Sequence, residues 1–173
     1  MGINKLSKTI ELFIKYADDN IAISLPQLKG AVILPVEKPI YDPSPFANND
    51  EIKELPIGKH HITLISVAAL KPIRKLLEKQ WGELIKNLPP TPIPKFDPTP
   101  REAKRENGKI TWFLPIINQD EFKQYVQTIA AAIKQNFPEW DNPDANRFFH
   151  LSMANNRGGI KEESIGDINQ GDL

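Results

Sequence analysis

Apolar positions change period several times along the chain, and each change marks an element. Leu6, Ile10, Phe13 and Ala17 recur at helical spacing and predict an N-terminal helix within residues 1–20. The run AVILPV at 31–36 follows Gly30 and predicts a strand, and the prolines and asparagines at 39–49 predict a loop ending near Glu54. A second strand is expected over 59–67. Pro72 then marks the start of a helix, with Ile73, Leu76, Leu77, Trp81, Leu84, Ile85 and Leu88 as its buried stripe. Six of the twelve residues at 89–100 are proline, which forbids regular structure and makes this stretch a stiff connection.

Beyond it, 109–117 reads as a strand. Asn118 with Glu121 looks like a helix start with its capping partner, and Phe122, Tyr125, Val126, Ile129, Ile133 and Phe137 give an amphipathic helix. The turn-rich PEWDNPDAN leads into a last apolar strand containing FFHLSMA, and a polar tail fills 161–173. The basic residues Arg101, Lys104, Arg105 and Lys109 are broken by Glu102 and Glu106, the pattern of a solvated surface. The expectation is one α+β domain over 1–173. It divides into a part at about 21–88, the connection at 89–100, and a second part at about 101–160.

Charge and composition narrow the partners. Twenty-two basic residues balance 22 acidic ones, so no global field draws in duplex nucleic acid, and a small nucleotide or an RNA terminus fits better. Cysteine is absent, which removes disulfides, thiolate catalysis and cysteine metal sites. No run approaches the ~18–20 apolar residues of a membrane span, and the amino terminus lacks a signal-peptide core. A cytoplasmic monomer without membrane partner or cofactor is expected.

The candidate chemistry lies in two matching tripeptides, His61-Ile62-Thr63 and His150-Leu151-Ser152, each inside an apolar run. Ser and Thr together hold only 12 of 173 positions, yet two of the three histidines have one at i+2. On a strand, His61 and Thr63 point to one face while Ile62 and Leu64 point to the other, and the second motif alternates likewise. Two imidazoles supply a general acid and a general base near neutral pH, and two hydroxyls can hold an anion between them. That combination suits phosphodiester cleavage without a metal.

The doubled H-x-[ST] signature, with apolar residues around it and its copies about ninety residues apart, resembles the two-histidine (2H) phosphoesterase superfamily. Members include RNA 2′,3′-cyclic phosphodiesterases, 2′-5′ phosphodiesterases and viral enzymes that destroy nucleotide messengers. The resemblance runs in element order from about residue 31 to 155, and its specific content is the four motif residues. It implies a bilobal fold in which two sheet-plus-helix lobes, related by a pseudo-two-fold, each contribute one motif strand to a central cleft. It further implies His61, Thr63, His150 and Ser152 as catalytic residues. The substrate would be a nucleotide, a cyclic oligonucleotide or an RNA end.

Around this core, Phe148 shares parity with His150 and would face the cleft, where it either stacks a base or packs as a core aromatic. Arg157, before Gly158 and Gly159, is a candidate phosphate contact, with a flexible turn as its alternative. His60 points away from His61. Two rivals stand beside the phosphodiesterase reading. One is a metal hydrolase using His60, His61 and His150 with an acid such as Asp141. The other is a non-catalytic nucleotide-binding or protein-interaction module. Specificity is expected in the loops at 41–54 and 89–104.

Overall fold

The computed structural model describes residues 24–45 and 47–156. The helix expected within 1–20, the tail at 161–173 and Arg157 lie outside the described residues. The architecture is α+β, with seven strands joined antiparallel into one sheet. The strands are β1 (Gln27–Lys29), β2 (Ala31–Pro35), β3 (Lys53–Glu54), β4 (His61–Ile65), β5 (Arg101–Lys104), β6 (Ile110–Pro115) and β7 (His150–Asn155). Their order is β1-β2-β4-β7-β6-β5, with β3 pairing separately onto β7. The helices are α1 (Val67–Leu70), α2 (Arg74–Lys86) and α3 (Gln119–Asn136). Among the described residues no helix is long and apolar enough to cross a membrane.

Both motif strands are central, and each is flanked by a hairpin. Gly30, at a φ of 77°, turns β1 into β2, and Gly108, also at 77°, sits in the turn from β5 to β6. Pairings on the two sides repeat residue for residue. Pro35, Leu34 and Ile33 oppose His61, Ile62 and Thr63. Pro115, Leu114 and Phe113 oppose His150, Leu151 and Ser152. A bulge follows at the same point in each, between Val32 and Ile33 and between Trp112 and Phe113. The residue after each proline donates its N–H to the carbonyl just before each histidine, Val36 to His60 at 3.1 Å and Ile116 to Phe149 at 3.3 Å. Each proline therefore sits in a non-hydrogen-bonded pair, its nitrogen turned outward past the end of the hairpin partner, where a missing N–H costs no ladder bond.

The helices cover one face of the sheet. Ile62, Leu64 and Leu34 pack there with Leu77 of α2 and with Phe122, Tyr125, Val126, Ile129 and Ile133 of α3. The turn-rich segment before β7 is tied to the end of β4. Asp144 accepts the Ser66 N–H at 2.7 Å, Ser66 caps α1 through the Ala69 N–H at 3.2 Å, and the Trp140 indole donates to the Ala69 carbonyl at 2.9 Å. Thus the exit of one motif strand and the entry to the other are held by the same few bonds.

Several expectations need correction. The helix expected from Pro72 begins at Arg74 as α2, but a separate short helix, α1, which the sequence did not announce, comes before Pro72. Leu76 is 56% exposed because it lines up with Gln80 and Glu83, whereas the buried line runs Leu77 to Leu84. Residues 101–104, read as solvated surface, form the edge strand β5, whose charges suit an edge that must not recruit another strand. Lys109 of that basic stretch is buried. Asn118 does precede α3, but its side chain bonds the Lys95 N–H, the Ile93 carbonyl and the Glu121 carboxylate, and does not cap the helix. The apolar backs of the motif strands are covered unequally. Ile62 and Leu64 meet the helices, but Leu151 and Met153 form a separate cluster with Leu114, roofed by Val36, Tyr41 and Phe96.

The burial of Leu64 makes the motif strand's back the keystone of the core. Leu64→Ala is expected to cost about 2–5 kcal/mol, read as a lower urea midpoint at unchanged slope.

Candidate active site

The four motif side chains gather on the face opposite the helices. Ile62 pairs directly with Leu151. That register sets His61 opposite Ser152 and Thr63 opposite His150, with the two histidines on the diagonal of the quartet. Opposed residues in such a ladder stand ~4.5–5.5 Å apart at Cβ, and diagonal ones ~7–8 Å. His61, Thr63 and Ser152 are half-buried, while His150 is 8% exposed.

Each histidine is oriented by its own strand in the same way. The His61 Nδ1 lies 3.0 Å from the Lys59 carbonyl, and the His150 Nδ1 lies 3.2 Å from the Phe148 carbonyl, two residues back in both cases. A carbonyl oxygen only accepts, so both Nδ1 atoms carry the proton, and Nε2 is the basic nitrogen of each neutral ring. Tautomer and ring direction are thereby set twice by one backbone device.

The His150 side of the site is the more heavily built. Its ring meets Phe113 edge-on at 5.5 Å and lies nearly parallel to Phe148, 13° between planes at 6.3 Å. Phe148 also packs on Ala103 and Phe113, so it faces the histidine side, as its parity requires, and acts there as a partly buried packing aromatic. Its neighbour Phe149 points the other way onto Phe122. Gln119, which nothing in the sequence singled out, fixes the backbone just before His150. Its carboxamide accepts from the Phe149 N–H at 2.9 Å and donates to the Phe149 carbonyl at 2.7 Å and the Ile116 carbonyl at 2.8 Å. It stands in for a missing strand. A readable signal for this geometry was the repeated dipeptide Leu34-Pro35 and Leu114-Pro115, which marks the strands flanking the two histidines.

His60 projects to the opposite face. It is 2% exposed, and neither ring nitrogen has a partner among the described residues. Burial holds its imidazole below the ordinary histidine range, the charges of Lys38 and His61 add to that, and Glu54 opposes it. Lys38 in turn pairs with Glu54 at 2.8 Å and sits over the Tyr41 ring. Asp141 pairs with Lys134. The set His60, His61, His150 and Asp141 is therefore not gathered at one point, and among the described residues no group of three or more histidines and acids forms a metal-binding cluster.

The loops expected to carry specificity lie mainly on the apolar side. Tyr41 and Phe96 brace the Leu114, Leu151 and Met153 cluster, and the Asp42 N–H donates to the Pro98 carbonyl at 3.2 Å, joining one loop to the other. The proline-rich stretch also runs along the end of β6, where Phe96 bridges Ile116. It is a strut as much as a linker.

Comparison of the chain with protein-family models, curated proteins and solved structures finds no match.

Two outcomes are expected from this geometry. Gln119→Leu leaves the Phe149 N–H without its partner and the Phe149 carbonyl with the Ile116 N–H alone, costing about 1–3 kcal/mol in denaturant unfolding. For His60 the folded state disfavours the charged ring, so its contribution is fully present above the unfolded pKa of ~6.5 and is lost as pH falls below it, where only the unfolded chain takes up the proton. Melting temperature followed from pH 7.5 to 5 should therefore drop less in His60→Leu than in the unaltered protein.

Proposed function

We propose that this protein is a metal-independent phosphodiesterase of the two-histidine type, acting on a nucleotide or RNA-end phosphodiester. The carrying observation is the equivalence of the two histidines. They occupy matching positions in two register-equivalent half-sheets, carry the same Nδ1-to-carbonyl bond, and stand diagonally across one pair of strands. In this reading each half, a hairpin and a motif strand backed by a helix, is one lobe of a pseudo-two-fold fold whose cleft is the histidine face.

The reaction follows from the tautomers. One neutral imidazole takes a proton at Nε2 from water as the water oxygen attacks phosphorus. The other, protonated, gives its Nε2 proton to the leaving oxygen as the phosphorus–oxygen bond breaks. Products are a phosphomonoester and an alcohol, and each ring ends in the state the other began in. Thr63 and Ser152 donate hydrogen bonds to the non-bridging oxygens, where charge builds in the transition state.

Purified protein incubated with EDTA and a panel of nucleoside 2′,3′-cyclic phosphates, 2′-5′ and 3′-5′ oligoadenylates and cyclic di- and trinucleotides tests the reading by chromatography. Cleavage of at least one member is expected to survive EDTA and to fall ~10²–10⁴-fold in His61→Ala and in His150→Ala. Full turnover in either variant would remove that histidine from the mechanism. A nucleotide recovered intact after binding would make the protein a binding module.

A further inference from the structure

The sheet register carries more than the four motif residues. Continuing outward from His61 and Ser152 along the same row, Ser152 pairs with Phe113, and Phe113 pairs with Arg101 on the edge strand β5. Directly paired residues share a face, so Arg101 stands on the histidine face. The packing of Ala103, two residues along β5, against Phe113 and Phe148 confirms that side. Two inter-strand spacings separate Arg101 from Ser152, about 9.6 Å between backbones. Between them lies Phe113, fully buried, with the partly exposed Phe148 packed edge-on beside it. The row thus runs from an acid–base pair, over an aromatic floor, to a guanidinium.

Charge on this face is sparse. Among the described strand residues it carries three permanent cations, Lys29 at the far edge, Lys53 on β3 and Arg101, of which Arg101 stands in the row of the quartet. Lys104 points the other way and pairs with Glu102 at 2.8 Å. Arg101 is exposed, and its ion pair with Asp97 at 3.6 Å is long and solvated, so it holds the side chain only weakly.

We propose that Arg101 anchors a second phosphate, one nucleotide removed from the phosphate between the histidines. This rests on the phosphodiesterase reading and deepens it. The preferred substrate becomes an oligonucleotide, linear or cyclic, with at least two phosphates, and a cyclic mononucleotide leaves the guanidinium unused. The aromatic floor between the two anion sites receives the intervening sugar and base, and the fork of the guanidinium suits phosphate oxygens better than an ammonium.

Binding tests this apart from turnover. Titration calorimetry at low salt compares adenosine 3′-phosphate with the diadenylate ApA carrying a terminal 3′-phosphate, using the unaltered full chain, Arg101→Ala and Arg101→Lys. The unaltered protein is expected to bind the two-phosphate ligand ~10–100-fold more tightly than the mononucleotide. Arg101→Ala should erase that preference while leaving the mononucleotide affinity unchanged, and Arg101→Lys should keep part of it. The salt slope for the dinucleotide should also fall by about 0.7 in Arg101→Ala. Equal affinity for both ligands in the unaltered protein, no binding of either, or equal losses on both in Arg101→Ala would overturn the anchor. A preference for two phosphates that depends on Arg101, in a protein that cleaves nothing in the panel, would keep the anchor and discard the phosphodiesterase reading.

Discussion

Everything at the site depends on one backbone contact, the antiparallel pairing of Ile62 with Leu151 at the centre of the sheet. A slip of either strand by one residue would turn its histidine to the helix side and its apolar back outward, away from the other motif. The pairing is short, but three features hold its register. Ile62 and Leu64 are buried against the helices, Leu151 is buried in the neighbouring cluster, and the end of β4 is bonded through Ser66 to Asp144 in the segment that feeds β7. The apolar side of the motif strands thus does the positioning, and the polar side is free to hold chemistry.

The two halves match beyond the motif itself. Proline opposite histidine, leucine opposite the middle residue, a bulge one step further, and a ring nitrogen bonded two residues back all occur twice. Two half-sites built alike set the two imidazoles at matching positions on one face, as the proposed exchange of acid and base roles needs. Where the halves differ, the difference is around His150. Phe113 and Phe148 pack on its ring, Gln119 grips the preceding residue, and His150 is more buried than His61. In the proposed reading, substrate contacts beyond the quartet fall to the row leading from Ser152 to Arg101.

His60 shows how tightly the first motif is constrained. Its backbone carbonyl accepts from Val36, as the ladder requires, while its side chain lies buried on the apolar face without a hydrogen-bond partner among the described residues. Such a group weakens the fold unless it stays neutral, and burial keeps it so. The adjacent histidines have opposite fates because alternate strand residues face different surroundings.

By itself the sequence determined the alternation that turns His61 with Thr63 and His150 with Ser152 to one side of their strands, and the helical period of 119–136. It also determined the α+β character of the chain. These are local properties, set by the geometry of a strand or a helix and legible within a dozen residues. Tertiary structure alone decided that the motif strands are neighbours, that His61 opposes Ser152 and Thr63 opposes His150, that Gln119 grips the residue before His150, and that Arg101 shares the face of the quartet. Residues 62 and 151 meet only because strands far apart in sequence pair side by side, and no local period encodes which strand lies next to which. The edge strand within the basic stretch and the short helix α1 before Pro72 were hidden for the same reason. A charged edge strand and a short capped turn are stabilised by what they pair and pack with, and that is absent from their own few residues.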